Sequence, residues 1–366
     1  MQLETLEAKD FRNLSGKIEL KSGLTVFSGE NGQGKTNWLE AISVLASTRS
    51  FRASKLPETI RFGSQAGSVR GNVRESPEIV RELQVIISGA AKTLAINGKK
   101  ETNAGYLGQL HAIVFNADEL EIVRGQPEAR RRFLDVGIVS LHPPFVQVFT
   151  DYNRVIKQKN SLLQAARDDG RPIEVVAEQL QPWNEQLIKL SGKIYRARVR
   201  FVERINEMLE RRLFAREELT IRYLSSLEGK GDLADYEALI AERMALRVQA
   251  EVVSGRALIG THRDDLELKF DGHDIRKYGS AGQQRSALLL LQLSNIAVFR
   301  ATRGEYPLFL IDDIDAELDY KRIGHLLDFL DGKTQTFVTT SKESFLDRFG
   351  ASARVYRIAN GKAESQ

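Results

Sequence analysis

The sequence predicts an α/β fold: a parallel sheet with a phosphate-binding loop, an antiparallel β lobe and an inserted helical lobe. Three observations predict this arrangement. A glycine-rich loop at 29–36 follows a short apolar run, and a second apolar run at 308–311 ends in two aspartates. Alternating apolar and polar residues dominate up to about residue 115, and from about residue 118 the periodicity becomes helical.

Strands are predicted first along the N-terminal part of the chain. Alternation predicts strands at 3–8, 80–87 and 93–96. Asn97-Gly98 favours a two-residue hairpin turn, because both central positions of such a turn need a positive φ. These strands make up the expected antiparallel lobe.

The loop after an apolar run at 24–27 fits the pattern G-x-x-x-x-G-K-[ST]. Its residues are Gly29, Glu30, Asn31, Gly32, Gln33, Gly34, Lys35 and Thr36. Glycines let the backbone approach a phosphate, and the N-terminus of the following helix points N–H groups at it. We expect Lys35 to reach the β- and γ-phosphates and Thr36 to bind Mg²⁺. The alternative is a glycine-rich turn before an ordinary helix.

The second apolar run, at 308–311, is predicted to be a central parallel strand. Asp312 stands at its carboxyl end, where it is expected to hold Mg²⁺ through the waters of the metal. Asp313 is expected to orient or deprotonate the attacking water. The predicted catalytic residues are therefore Lys35, Asp312 and Asp313. The alternative is an acidic turn that caps a helix.

Helical periodicity is interrupted by Pro143-Pro144, by residues 168–170 and by Pro182. A last helix is predicted at about 191–216. It carries Arg196, Arg200 and Arg204 at intervals of four, a spacing that suits DNA phosphates. The alternative is a solvated face whose arginines pair with glutamates of the same helix. Arg130 and Arg131 are further candidates for DNA contact.

A Ser-x-Gly-Gln turn precedes another long helix. Its Ser280, Gly282 and Gln283 offer a hydroxyl and free N–H groups to an anion at the helix N-terminus. The turn resembles the signature loop of ABC-type ATPases, which completes the nucleotide site of a second subunit. The resemblance implies a head-to-head homodimer that forms when ATP binds.

Other segments resemble one branch of that superfamily. Phe11-Arg12-Asn13-Leu14 resembles the N-terminal strand turn that contacts the nucleotide, and the segments 130–135, 261–266 and 317–322 resemble further blocks. The chain thus resembles the RecF family of bacterial gap-repair proteins, related to the heads of chromosome-maintenance ATPases. The resemblance implies that Arg12 and Asn13 bind the nucleotide.

The family resemblance implies an ABC-type ATPase domain at 1–117 and 250–366 and an inserted, mostly helical lobe at 118–249. It implies a weak DNA-linked ATPase that uses ATP and Mg²⁺ and acts in DNA repair, replication and the SOS response. The implied partners are double-stranded and gapped DNA, a second copy of the chain, and RecR with RecO and RecA.

Departures from transporter-type cassettes help to choose between functions. Such cassettes usually carry Glu after the magnesium aspartate and His after the next strand, where this chain has Asp313 and the run from Thr339. The differences argue against a transporter ATPase subunit. A non-hydrolysing nucleotide-binding adaptor is the other alternative, against which the intact Lys35, Thr36 and Asp312 argue. Asn116 and Gln109 are both candidates for the γ-phosphate sensor.

Composition limits the remaining classes. With 42% hydrophobic and 28% charged residues, the 366-residue chain has the composition of a soluble globular protein. The absence of cysteine excludes thiol catalysis and cysteine-based zinc sites. No apolar run approaches the roughly 20 residues of a membrane helix, so a cytoplasmic protein without membrane contact is expected. The net charge of +4 does not by itself require a polyanionic partner.

Overall fold

The computed structural model describes residues 1–209 and 218–366 of the chain. The strands in these residues are β1 (Gln2–Phe11), β2 (Leu14–Glu19), β3 (Leu24–Ser28), β4 (Ala66–Ser76), β5 (Ile79–Ser88), β6 (Ala91–Ile96), β7 (Lys99–Glu101), β8 (Ala112–Phe115), β9 (Leu219–Leu224), β10 (Asp265–Phe270), β11 (His273–Asp274), β12 (Leu308–Ile311), β13 (Thr336–Thr340), β14 (Arg354–Ala359) and β15 (Lys362–Ser365). The α-helices are α1 (Lys35–Ser47), α2 (Asn103–Tyr106), α3 (Glu121–Arg124), α4 (Pro127–Leu141), α5 (Phe145–Asp168), α6 (Ile173–Met208), α7 (Tyr236–Ser254), α8 (Ile275–Tyr278), α9 (Ala281–Arg303), α10 (Ile314–Glu317), α11 (Tyr320–Leu330) and α12 (Glu343–Phe349).

A six-stranded sheet with the order β15-β14-β3-β13-β12-β8 positions the glycine-rich loop. Its strands run parallel except β15, which pairs antiparallel at the edge. All four residues of β12 are buried, as expected of a strand covered on both faces. Because the carboxyl ends of parallel strands share one edge, the segments that follow residues 28, 311 and 340 meet there.

The antiparallel lobe has the strand order β2-β1-β4-β5-β6-β7. The three strands predicted from alternation are confirmed as parts of β1, β5 and β6. The predicted hairpin turn joins β6 to β7, with φ of 50° at Asn97 and 74° at Gly98. Trp38 of α1 lies in one buried cluster with Val85 of this lobe and Phe337 of the parallel sheet. The helix after the loop is therefore held between the two sheets.

The helical layer lies against the other face of the parallel sheet. Leu289 of α9 belongs to one buried cluster with Phe201 of α6 and Ile311 of β12. Since α9 begins with the Ser-x-Gly-Gln turn, this packing fixes the turn relative to the strand that carries Asp312.

The longest helix differs from its prediction. α6 runs from Ile173 to Met208 with Pro182 inside it, so the predicted interruption at Pro182 and the predicted start at 191 are wrong. A proline removes one backbone hydrogen bond, but Leu180 and Leu187 on either side of it are fully buried. Burial of that face keeps the helix continuous. The predicted end at 216 lies outside the described residues.

Strand β9 separates α6 from α7 along the chain and pairs with β10, which in turn pairs with β11. α7 then rejoins the helical layer, where Ile240 shares a buried cluster with Ile194 of α6. The boundary predicted at 249/250 falls inside α7, before its end at Ser254. The division of the chain into an ATPase domain and an inserted lobe stays a prediction.

Within residues 1–209 and 218–366, no helix combines the length and the apolar character that crossing a membrane requires.

Candidate nucleotide-binding site

The glycine-rich loop connects β3 directly to α1. Gly29 has a φ of 145°, and a Cβ placed on it would lie 2.5 Å from the carbonyl oxygen of Ile358. Gly34 has a φ of 106°, and its Cβ would lie 2.7 Å from Oδ1 of Asn13. Both positions therefore need glycine. The backbone conformation that the two glycines permit brings the N-terminus of α1 to the sheet edge. Free N–H groups there can donate hydrogen bonds to phosphate oxygens.

The amine of Lys35 lies over this loop. Its Nζ donates to the carbonyl oxygens of Gly29 and Glu30, each at 2.8 Å. Burial lowers the pKa of Lys35, and the carboxylates of Asp313 and Asp312 oppose that shift. Two carbonyl groups thus hold the Lys35 amine beside the loop. A bound phosphate can replace them as the acceptor of its hydrogen bonds.

Asp312 joins the two halves of the sequence pattern. Its Oδ1 accepts hydrogen bonds from Oγ1 of Thr36 at 2.8 Å and from Oγ1 of Thr339 at 2.7 Å. Thr36 and Asp312 are separated by 276 positions in the chain, yet the parallel sheet brings them into contact. A hydroxyl and a carboxylate are hard oxygen ligands, which suit Mg²⁺. The predicted ligand pair therefore fits the metal.

Thr339 is a site residue that the sequence analysis did not include among its candidates. It is buried at the end of β13, and its Oγ1 also accepts the backbone N–H of Asp313 at 2.7 Å. The available signal was its position at the end of a second apolar strand. Register places Val338 opposite Ile311, so residue 339 lies beside residue 312.

Asp313 occupies a left-handed backbone conformation, with a φ of 51°. Aspartate tolerates this region better than most residues because of its short polar side chain. Burial raises the pKa of the Asp313 carboxyl, and the negative charges of Asp315 and Asp312 add to the shift, while Lys35 opposes it. A carboxylate with a raised pKa beside the phosphate loop has the property expected of a general base.

Arg12 and Asn13 lie beside the loop, as expected. The guanidinium of Arg12 donates to both carboxylate oxygens of buried Glu40 at 2.9 Å, and this pairing raises the pKa of Arg12. Asn13 donates to the carbonyl oxygen of Gln33 at 3.3 Å and accepts from Asn37 at 2.8 Å. Arg12 therefore orders the turn, and Asn13 reaches the loop itself.

The Ser280 turn is formed as a capped helix start. Ser280 is the N-cap of α9: its Oγ accepts the N–H of Gln283 at 3.3 Å, and its own N–H donates to Oε1 of Gln283 at 2.9 Å. Ser280, Gly282 and Gln283 thus stand together in one turn. Arg285, one turn further along, pairs with Glu317 at 3.0 Å and links this helix start to the segment after Asp313.

Two of the five arginines predicted to contact DNA are engaged inside the protein. Arg130 is 2% exposed, and its guanidinium bonds both carboxylate oxygens of Asp265, at 2.6 and 3.0 Å. Its charge holds α4 to β10, which argues against the predicted DNA contact at Arg130. Arg131 is half-buried and donates to the carbonyl oxygen of Asp264 at 2.8 Å.

The three predicted arginines of α6 are exposed and differ in their pairing. Arg196 pairs with Glu237 at 2.9 Å. Neither Arg200 nor Arg204 makes an ion pair in the described part of the chain, although Arg204 donates weakly to Thr302 at 3.4 Å. Arg200 and Arg204 therefore stand on the surface of α6 without an ion-pair partner among the described residues.

The two candidate γ-phosphate sensors lie in different parts of the structure. Asn116 follows β8 directly and is buried, with Oδ1 accepting the N–H of Glu119 at 2.9 Å. The backbone N–H of Asp312 donates to the carbonyl oxygen of Phe115, so Asn116 stands at the same sheet edge as Asp312. Gln109 bonds Arg81 of the antiparallel lobe instead. The location favours Asn116 as the sensor.

Comparison with known proteins decides the family. The family model described as the RecF/RecN/SMC N terminal domain matches residues 2–364. The DNA replication and repair protein RecF of Natranaerobius thermophilus is 35% identical over 384 aligned residues, covering 99% of this chain and 98% of that protein. The chain belongs to the RecF family.

Other RecF comparisons agree across the full length. RecF of Enterococcus faecalis is 33% identical and covers all of this chain. A solved structure of the recombination mediator protein RecF-ATPrS in the RecFOR pathway aligns with a TM-score of 0.89 at 28% identity, covering 100% of this chain and 98% of that one. The predicted family and the α/β ABC-type ATPase head fold are thereby confirmed.

A more distant solved structure shows how far the fold extends. The Smc head domain of Pyrococcus furiosus aligns over the whole chain with a TM-score of 0.55 at 17% identity, covering 95% of that chain. RecF proteins and this Smc head therefore share the head fold.

Proposed function

We propose that the protein is an ATP-dependent DNA-binding protein that dimerises on ATP and acts as a clamp on DNA in the cytoplasm. By its family it serves the recombinational repair of single-strand gaps and replication, with RecR and RecO as partners in loading RecA. One observation carries the proposal: Thr36 and Thr339 both donate to Asp312 beneath a loop shaped for phosphate.

The chain's own residues give each step a chemical role. The N–H groups of the loop and Lys35 hold the β- and γ-phosphates, while Thr36 and Asp312 hold Mg²⁺. When bound, the metal neutralises phosphate charge. Asp313 orients the attacking water and takes its proton, and Thr339 keeps the two aspartates in place through its two hydrogen bonds. The expected activity is weak ATP hydrolysis.

Dimerisation requires an anion site that is complete only between subunits. Ser280 and Gln283 satisfy each other inside one capped turn, and the positive end of α9 is directed outward from the cap. We assign this turn to the γ-phosphate on a second copy of the chain. The Arg285–Glu317 pair then connects the turn to the loop after Asp313 in the same subunit.

The DNA surface is assigned to the exposed cations where α6 approaches the end of α9. Among the residues that the structure describes, Arg200 and Arg204 of α6 are exposed without an ion pair, and Arg303 of α9 is also exposed. Arg204 donates to Thr302, the residue before Arg303, at 3.4 Å, which brings the two arginines to one place on the surface. Burial lowers the pKa of nearby His142, and the positive charges of Arg204 and Arg303 lower it further. Exposed arginines that cluster without ion pairs can bind the phosphates of a DNA backbone.

The test is the size of the protein in solution, measured by light scattering with and without Mg-ATP and gapped duplex DNA. We expect a monomer without nucleotide, a dimer with ATP, and a dimer on DNA that disappears as ATP is consumed. Lys35→Met should stay monomeric. An ATP-dependent dimer that never hydrolyses ATP would favour the adaptor alternative, and the same monomer under all conditions would contradict the clamp.

A further inference from the structure

An open pocket with a volume of about 1000 Å³ adjoins the glycine-rich loop. Asn13 and Asn37 line it where it meets the start of α1. The same Asn13 donates to the carbonyl oxygen of Gln33, a residue of the loop. The pocket therefore begins where the phosphate cradle ends, and a molecule anchored by phosphates on the loop can extend into it.

Backbone hydrogen bonds hold the walls of the pocket in place. The N–H of Arg12 donates to the carbonyl oxygen of Thr59 at 2.6 Å, and the N–H of Arg61 donates to that of Asp10 at 2.8 Å. On the opposite side, the N–H of Asn360 donates to Oε1 of Gln33 at 2.8 Å. The first two bonds join the segment at 59–61 to the turn at 10–12, and the third joins Asn360 to the loop. A ligand therefore meets a preformed surface, and its binding has a low ordering cost.

Phe62 lines this pocket and is fully exposed. It lies in a turn in which the N–H of Ser64 donates to the carbonyl oxygen of Arg61 at 3.0 Å. The next most exposed large apolar side chains in the described residues, Tyr278 and Val253, are 74% and 71% exposed. An uncovered ring on an anchored turn is a ready surface for stacking, because every base has a π-face.

We propose that Phe62 stacks on the base of the nucleoside triphosphate whose phosphates lie on the loop. The inference rests on the proposed nucleotide site and adds the residue that recognises the base. A flat aromatic ligand suits this place because Phe62 is the one aromatic side chain in a lining that combines the apolar Pro57 and Ile60 with polar and charged residues. A protein partner would need a wider apolar patch.

The experiment compares two ligands that share their phosphates but not their base. Binding of ATP and of inorganic tripolyphosphate, each with Mg²⁺, is measured by calorimetry for the full-length protein and for Phe62→Ala. We expect Phe62→Ala to weaken ATP binding about tenfold, the scale of one base–aromatic stack, and to leave tripolyphosphate binding unchanged. Val253→Ala removes an exposed apolar side chain of α7 and should bind both ligands normally.

Phe62→Trp provides a direct signal from the same position. Its fluorescence should change when ATP is added and stay constant when tripolyphosphate is added. Normal ATP affinity in Phe62→Ala, or an equal loss for both ligands, would overturn the stacking assignment. A Phe62→Ala variant that binds ATP normally but fails to dimerise would also overturn it. Failure of the underlying site looks different, because Lys35→Met would then lose neither ligand.

Discussion

Two neighbouring aspartates at the end of β12 have different environments. Asp312 accepts hydrogen bonds from the hydroxyl groups of Thr36 and Thr339. The backbone N–H of Asp313 donates to Oγ1 of Thr339, and burial raises the pKa of the Asp313 carboxyl. The different surroundings agree with the roles proposed for the two carboxylates, metal binding for Asp312 and proton transfer for Asp313.

We expect Asp313→Asn to stabilise the nucleotide-free protein while it slows ATP hydrolysis. The folded-state pKa of Asp313 is raised above 3.8, so its ionisation favours the unfolded chain. Below pH 3.8 both states are protonated and the variant has no advantage from charge. The stability of the wild type then falls as pH rises to the folded-state pKa. Above that pKa the variant should keep its full advantage in melting temperature.

The pH dependence separates charge from backbone conformation. Asparagine also tolerates the left-handed conformation at this position, which stabilises the variant by an amount that does not change with pH. Melting temperatures are measured from about pH 4 to about pH 8, beside single-turnover hydrolysis. An advantage of constant size at every pH would contradict the charge explanation, and unchanged hydrolysis would mean that another group is the base.

At the scale of elements, the sequence pattern predicts a helix, strand or turn correctly where the physical cause lies in neighbouring residues. The loop at 29–36, the strand at 308–311 and the hairpin at Asn97-Gly98 follow from glycine placement and periodicity. The helix interruption predicted at Pro182 does not occur, because burial of Leu180 and Leu187 on either side of it outweighs one missing hydrogen bond. That burial is a property of the packed lobe and cannot be detected in the helix alone.

The start of α9 allows a test of the shared site that preserves its structure. Aspartate and asparagine are both good N-caps, so Ser280→Asp and Ser280→Asn should each preserve the helix start, whereas loss of the cap costs about 1 kcal/mol. Aspartate adds a negative charge where the proposal places a γ-phosphate. We expect Ser280→Asp to bind ATP as a monomer and to fail to dimerise, as measured by light scattering.

Ser280→Asn is the matched control, because it retains the cap without the charge. It should dimerise with ATP far better than Ser280→Asp does. Melting temperatures of the two variants should agree with the wild type to within the effect of a cap. Equal dimerisation by both variants would show that the turn does not face a phosphate of a second subunit.

At the scale of the whole molecule, the nucleotide site depends on contacts between distant parts of the chain. Thr339 and Asp312 meet only because β13 and β12 are neighbours, and Arg130 finds Asp265 across 135 positions. The sequence could therefore predict the loop and the place of Asp312 at the end of a buried strand, which carry local motifs. It could not predict Thr339, or that Arg130 is buried, because both depend on the register and packing of remote segments.

The DNA surface is the last property that belongs to the assembled molecule. Arg200→Ala and Arg204→Ala should each weaken binding to duplex DNA of any sequence. Each should also reduce the slope of log affinity against log salt by about 1, because one phosphate contact is lost. Binding is measured by fluorescence anisotropy in the presence of ATP at several salt concentrations.

Arg196→Ala is the matched control on the same helix. Glu237 already pairs with Arg196 at 2.9 Å, so this arginine adds little net charge to the surface, and its removal should change the salt slope less. All three arginines are exposed and lie on α6. Comparing Arg196→Ala with the other two substitutions therefore tests whether an ion pair, rather than a place on the helix, decides which arginines bind DNA. Equal effects of the three substitutions would mean that pairing does not select the DNA contacts, and DNA binding indifferent to all three would place the DNA surface elsewhere.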